Sequence, residues 1–133
     1  MSKFLLDTNI CIYFLKGQHN LDKKIEAVAV ENCFISEITL AELKFGAENS
    51  EHKEKNRSIV NEFVNRFTII PIFNSIDVYA REKARLRREG TPLDDFDLLI
   101  GATAISNNLI LVTRNVSDFE RLGEIQIENW VAG

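Results

Sequence analysis

Short apolar runs that stop abruptly at polar residues punctuate the chain. Lys3-Phe4-Leu5-Leu6 ends at Asp7-Thr8-Asn9, and a second apolar stretch runs from Ile10 to Leu15. That order predicts a buried strand, a turn and a helix. The unit recurs where Cys33 to Ile35 leads through Ser36-Glu37 and Ile38-Thr39 into a helical stretch that Gly46 is expected to close. Residues 51–66 carry helix-favouring charges, with Ile59, Val60, Phe63 and Val64 at helical spacing. Thr68 to Phe73 is then a β-branched run whose Pro71 suits a sheet edge or a strand end. Helices are expected over 75–89 and from about Phe96 to Ser106, separated by Gly90-Thr91-Pro92. Leu109 to Val112 reads as a strand, followed by the polar Thr113-Arg114-Asn115, a helical turn near Asp118-Phe119 and a last strand at Ile125 to Ile127. Strands alternating with helices predict an α/β fold of three layers, α/β/α, around a central, mostly parallel sheet.

Composition narrows this picture. A chain of 133 residues, 45% apolar, matches one domain spanning residues 1–133 with one sizeable core. Its formal net charge of −4 repels phosphate backbones, so any nucleic acid has to be held locally. Cys11 and Cys33 lie in apolar segments without the spacing of a disulfide framework or a zinc site, and read as reduced core residues. Asp7-Thr8-Asn9 interrupts the only stretch resembling a signal peptide, and no run could span a membrane, which leaves a cytoplasmic expectation.

The polar residues at strand ends carry the chemistry, because ligands of an open parallel sheet bind beyond the carboxyl ends of its strands. Asp7 follows the first strand, Glu37 and Glu42 the second, and Asn115 and Asp118 the fourth; Asp97 precedes the apolar helix leading to that fourth strand. Each acid has a plain structural alternative. Asp7 could cap a helix starting at Thr8. Glu42 lies nearly opposite Leu40, Leu43 and Ala47 and could simply be solvated. Asp94, Asp95 and Asp97 could answer a helix dipole. Jointly, however, the acids converge on one sheet edge, where crowded carboxylates repel one another unless a hard cation relieves them. Such a site suits phosphodiester hydrolysis by metal-activated water. The only histidines, His19 and His52, stand in polar contexts, and Ser36 and Ser106 have no histidine partner, which disfavours histidine-based nucleases and serine hydrolases. A phospho-acceptor signalling domain is also disfavoured: Asn74 follows the third strand where it needs an aspartate, and no lysine lies beyond Lys83.

The segments Leu6-Asp7-Thr8-Asn9, Ile38-Thr39-Leu40-Ala41-Glu42-Leu43 with Gly46-Ala47, and Gly90-Thr91-Pro92-Leu93-Asp94-Asp95-Phe96-Asp97 resemble successive motifs of VapC-type PIN-domain toxins. Leu111 to Asn115 with Asp118 to Leu122, and the terminal Glu128-Asn129-Trp130, are similar to the family's closing pattern, so the resemblance covers essentially the whole chain. It implies an endoribonuclease dependent on Mg2+ or Mn2+, homodimeric, commonly directed at transfer RNA and inhibited by a VapB-type antitoxin through which promoter DNA would be bound. A PIN-fold binding module without activity is the alternative. By position, Asp7, Glu42 and Asp97 match the family's acidic core as metal ligands, with Thr8, Asn9 and Thr113 assisting. The fourth position stays open between Asn115, where many members carry an acid, and Asp118.

Two surfaces call for a partner. Arg81, Arg85 and Arg88 form a stripe on the helix over 75–89, opposite Ile76, Tyr79, Ala80 and Leu86, and could meet phosphates or simply be a solvated face. Arg114, beside the acidic residues, is the better phosphate contact. The stretch Ile10 to Leu15 is apolar on every side, more than a core-facing stripe requires, and the resemblance implies an antitoxin groove there.

Overall fold

A computed structural model of the chain describes residues 2–131. Five strands, β1 (Phe4–Leu6), β2 (Cys33–Ser36), β3 (Thr68–Ile70), β4 (Ile110–Val112) and β5 (Gln126–Glu128), form one wholly parallel sheet in the order β3-β2-β1-β4-β5. Pro71 follows β3, which is an edge strand, so its missing N–H costs no ladder bond. Strand pleating sends alternate residues to opposite faces. Phe4 and Leu6 join Ile10, Cys11, Leu43 and Phe63 in one core, and Leu5 joins Leu86, Leu98, Leu111 and Phe119 in the other. The first core lies under α1 (Thr8–Leu15), α2 (Leu21–Val28), α3 (Glu37–Glu48) and α4 (Lys53–Val64); the second lies under α5 (Ile76–Arg88), α6 (Asp95–Ser106) and α7 (Val116–Phe119). The three-layer expectation holds, and both cysteines are buried and unpaired.

The helices differ from the expected ones in instructive ways. Gly46 does not stop α3, which continues to Glu48 and is capped at Asn49; a side chain at Gly46 would meet nothing within 4 Å. Asp97 does not precede α6 but is its third residue, because Asp94 takes the N-cap and accepts a 3.1 Å bond from the Phe96 amide. On α5 the expected apolar side is only partly used: Ile76 and Ala80 are exposed, while Glu82 is buried with Leu86. The helix α2 escapes a pattern reading because only Leu21 and Ile25 of its eight residues are buried.

The chain winds outward from β1 in one direction through β2 and β3, and in the other through β4 and β5. The order therefore reverses between β1 and β4, and at such a switch point the loops splay apart and leave a crevice at the carboxyl ends of the strands.

Candidate functional site

Asp7 stands at that switch point. Its backbone N–H completes the sheet by donating to Val112 O at 2.9 Å, and its side chain is 3% exposed. One carboxylate oxygen accepts from the Thr8 amide at 2.8 Å, while Oδ2 accepts from the Thr113 hydroxyl, also at 2.8 Å. The capping alternative is thus half right. Asp7 occupies the N-cap of α1, but it receives the first helical amide and not the second or third, and its other oxygen is committed across the sheet to the segment after β4. Burial holds its pKa above the ordinary carboxylate value; the Thr113 and Thr8 bonds oppose that shift, and Glu42 adds to it.

Glu42 is not simply solvated. The Thr8 hydroxyl donates to its Oε1 at 2.6 Å and stands 3.0 Å from the Thr39 hydroxyl, so α1 and α3 are joined through a chain of side-chain oxygens. Ser36 caps α3 by accepting from the Thr39 amide at 3.0 Å, which fixes the first turn from which Glu42 projects. Glu37, the other acid after β2, is structural, for it accepts from the Ile72 amide at 2.9 Å and ties the turn beyond β3 to α3.

Of the three aspartates opening α6, only Asp97 lines the central cleft. Asp95 accepts from the Tyr79 hydroxyl and from Lys83 on α5, at 2.9 and 2.8 Å. Asp97 shares a cleft of about 670 Å³ with Asp7, Thr8, Asn9, Glu42 and Phe96. Its pKa is raised to about 6, first by desolvation and then by the charges of Asp7, Asp94, Glu42 and Asp118. The charges of Asp7 at the start of α1, Glu42 on α3 and Asp118 on α7 therefore all reach Asp97 on α6. Asp118 is half exposed and also pairs with Arg121 at 3.4 Å, while the Asn115 amide is held by the Thr113 hydroxyl at 3.0 Å.

Three comparisons bear on this arrangement. The family model described as "PIN domain" matches residues 4–125. The chain is 36% identical over 131 residues to the "tRNA(fMet)-specific endonuclease VapC" of Shigella flexneri, covering 98% of this chain and 99% of that protein. This chain belongs to the PIN-domain family, among its VapC members. A second relative, "Ribonuclease VapC2" of Haemophilus influenzae, is 38% identical, with 98% of this chain and 100% of the relative covered. Among solved structures, a chain of "Crystal structure of DNA bound VapBC from Salmonella typhimurium" superposes with a TM-score of 0.90 at 36% identity, covering 98% and 99% of the two chains.

PIN-domain ribonucleases depend on divalent metal ions, and the donors of this PIN domain fit one. All are hard oxygens, and Asp97 carries repulsion that a cation would relieve. As the side chains stand, no three Asp, Glu, His or Cys residues among those described close around a common point at ligand distances. Glu42 is instead engaged by Thr8 and Asp118 by Arg121, so a bound ion would draw the carboxylates inward from these partners.

The cationic surfaces of the PIN domain resolve differently from the sequence pattern. Arg85 is not available to phosphate: its guanidinium is divided among Glu82, Glu89 and the Arg121 carbonyl. Arg114 is exposed, but it reaches Tyr13 on α1 instead of the acidic cleft. Pattern reading missed the Thr39 hydroxyl, the exposed aromatic rim of Phe45 and Phe96, and Tyr13. Only the position of Thr39 in the first turn of the helix after β2 would have signalled any of these. No helix of the described residues is long and apolar enough to cross a membrane.

Proposed function

We propose that this VapC-family chain is a toxin endoribonuclease that hydrolyses RNA phosphodiesters, with transfer RNA as its substrate class, at a site formed by Asp7, Glu42 and Asp97. The observation that carries the reading is the meeting of Asp7, Glu42 and Asp97 in one cleft at the switch point of the sheet, where desolvation first and then the neighbouring carboxylates raise the Asp97 pKa, a cost that a shared cation relieves. Mg2+ or Mn2+ would be held by Asp7, Glu42 and Asp97, and when bound supplies Lewis acidity that activates water and neutralises charge on the scissile phosphate.

The chain's own groups prepare that chemistry. Thr113 fixes the direction of the Asp7 carboxylate, and Thr8 ties Glu42 to α1 at the cleft wall until an ion draws it inward. Asn9, on the cleft wall, offers an amide to ribose or phosphate. The test is cleavage by the purified chain freed of any partner: the parent is expected to cut RNA only with Mg2+ or Mn2+, and Asp7→Asn to fold but lose activity by a factor of roughly 100 or more. A variant cutting at the parental rate would sink the site assignment.

The same reading places the chain in the cytoplasm with a VapB-type antitoxin, since relatives are seen in VapBC complexes. Ile10 and Cys11 are fully buried within the chain, but Ile12 and Leu15 line a groove of about 490 Å³ with Leu43, Ile59 and Val60, shaped for an amphipathic antitoxin helix. Phe73, 79% exposed, and Ile76 offer an apolar surface for the homodimer. With a net charge of −4 the chain contributes little to promoter DNA, which the antitoxin would bind.

A further inference from the structure

On the flank of the acidic cleft, away from the α1–α3–α4 groove, lies a small cluster that none of these roles uses. Arg114, exposed after β4, donates to the Tyr13 hydroxyl and places its guanidinium carbon 5.9 Å from the Tyr13 ring centre. His19 meets the same ring edge-on at a centroid distance of 4.9 Å. The imidazole is brought there by a turn in which His19 and Asn20 both adopt left-handed backbone (φ 62° and 53°), a conformation that non-glycine residues rarely hold in succession. The phenol is thus fixed from two sides, while Arg114 forms no ion pair with a carboxylate among the described residues.

The location couples this cluster to the scissile site. Arg114 directly follows Thr113, whose hydroxyl holds Asp7, and Tyr13 stands one helical turn beyond Asn9 on the cleft wall. At 1.5 Å per residue, Tyr13 lies about 7.5 Å along α1 from Thr8, within reach of a neighbouring nucleotide. Tyr13 is half-buried against the core with Arg114 over its ring. The exposed part of that ring, beside a guanidinium without a carboxylate partner among the described residues, is a combination that holds an unpaired base and its phosphate, a charge an acidic protein needs locally.

We infer that Tyr13, His19 and Arg114 form a nucleotide subsite that grips single-stranded RNA next to the cleavage position, with a base stacked on the Tyr13 ring and the adjoining phosphate on Arg114. This rests on the ribonuclease reading above and adds where the substrate strand leaves the acidic cleft. Double-stranded RNA would not engage it, because its bases are not free to stack on a side chain.

The experiment uses the purified chain with Mn2+ and a short single-stranded RNA of mixed sequence carrying 4-thiouridine, read by steady-state cleavage and by photo-crosslinking. Tyr13→Leu, which keeps the position apolar, is expected to raise KM about tenfold with kcat unchanged, and Tyr13→Phe to behave as the parent. Arg114→Gln, at an exposed position, should raise KM and flatten the log–log salt dependence by about one. Crosslinks should fall in the peptide containing residue 13 and vanish in Tyr13→Leu. Parental KM and salt dependence in both Tyr13→Leu and Arg114→Gln, with a lowered melting temperature only, would show a structural tether and overturn the subsite. Absence of metal-dependent cleavage by the parent would instead overturn the ribonuclease reading, and the crosslink would then decide the subsite alone.

Discussion

The Thr113 hydroxyl and the Asp7 carboxylate, 106 positions apart in the chain, meet at 2.8 Å across the switch point of the sheet. This bond joins the end of β4 to the end of β1 and orients the most buried acid of the site. Thr113→Val keeps the shape of the side chain and deletes the donor. A lost hydrogen bond to a buried charge costs about 1.5–3 kcal/mol, so Thr113→Val should be less stable by about that amount and should need more metal for half-maximal cleavage. Chemical denaturation and a metal titration check it; parental values in both would mean that the bond orients nothing.

Asp97 should limit stability where activity needs it charged. Its pKa rises from the ordinary 3.8 to about 6 in the folded chain. The folded state therefore holds that proton more tightly than the unfolded one. Stability from this group is fully present below about pH 4 and is lost as pH rises through about 6. In the metal-free protein, Asp97→Asn removes the loss and should be more stable than the parent at pH 8 by about 1–2 kcal/mol, after allowance for solvent screening of a partly exposed group. The difference should close as pH falls from 6 to 4. Urea denaturation in EDTA across that range measures it, and a variant no more stable than the parent at pH 8 would contradict a carboxyl raised by desolvation and neighbouring charges.

Asp118 and Asn115 remain rivals for the fourth position, and the structure supplies a criterion. The charge of Asp118 reaches Asp97, whereas Asn115 meets Thr113 through its backbone. Asp118→Asn is expected to raise the Mg2+ concentration for half-maximal cleavage severalfold, and Asn115→Ala to change kcat or KM for RNA with little change in metal demand. The opposite pattern in a paired titration would give the position to Asn115.

Gly101 should tolerate no side chain. A Cβ there would lie 2.2 Å from Cδ1 of Leu122 and 3.5 Å from Phe119, both buried. Leu122 can yield only by disturbing the core under α6, so Gly101→Ala should cost about 1–3 kcal/mol despite the helix preference for alanine. A melting temperature lowered by roughly 5 °C or more is expected, whereas Gly46→Ala, open on all sides, should be neutral or stabilising.

Much of this could be read from the residues alone, because strand and helix periodicities are local and the acids follow the strands. The five strands, the parallel sheet, and the placement of Asp7, Glu42 and Asp97 at one sheet edge all followed from apolar runs that break at polar residues. What the local pattern could not supply was partnership. Glu82 looks like a surface charge in the pattern, yet it is buried because Arg85 and the Gly123 amide satisfy it from elsewhere in the chain. Arg85 reads as a solvated charge or a phosphate contact for want of those same partners.

Sequence by itself determined the fold class and which acids could form the site, since burial periodicity and residue chemistry are written position by position. Tertiary structure decided which oxygen of Asp7 turns to Thr113, that Asp95 is taken by Lys83 and Tyr79 while Asp97 faces the cleft, and that Arg114 stands over Tyr13. Hydrogen bonds and charge coupling act through a few ångströms of space between residues far apart in the chain, and only the packed sheet with its helices sets those distances.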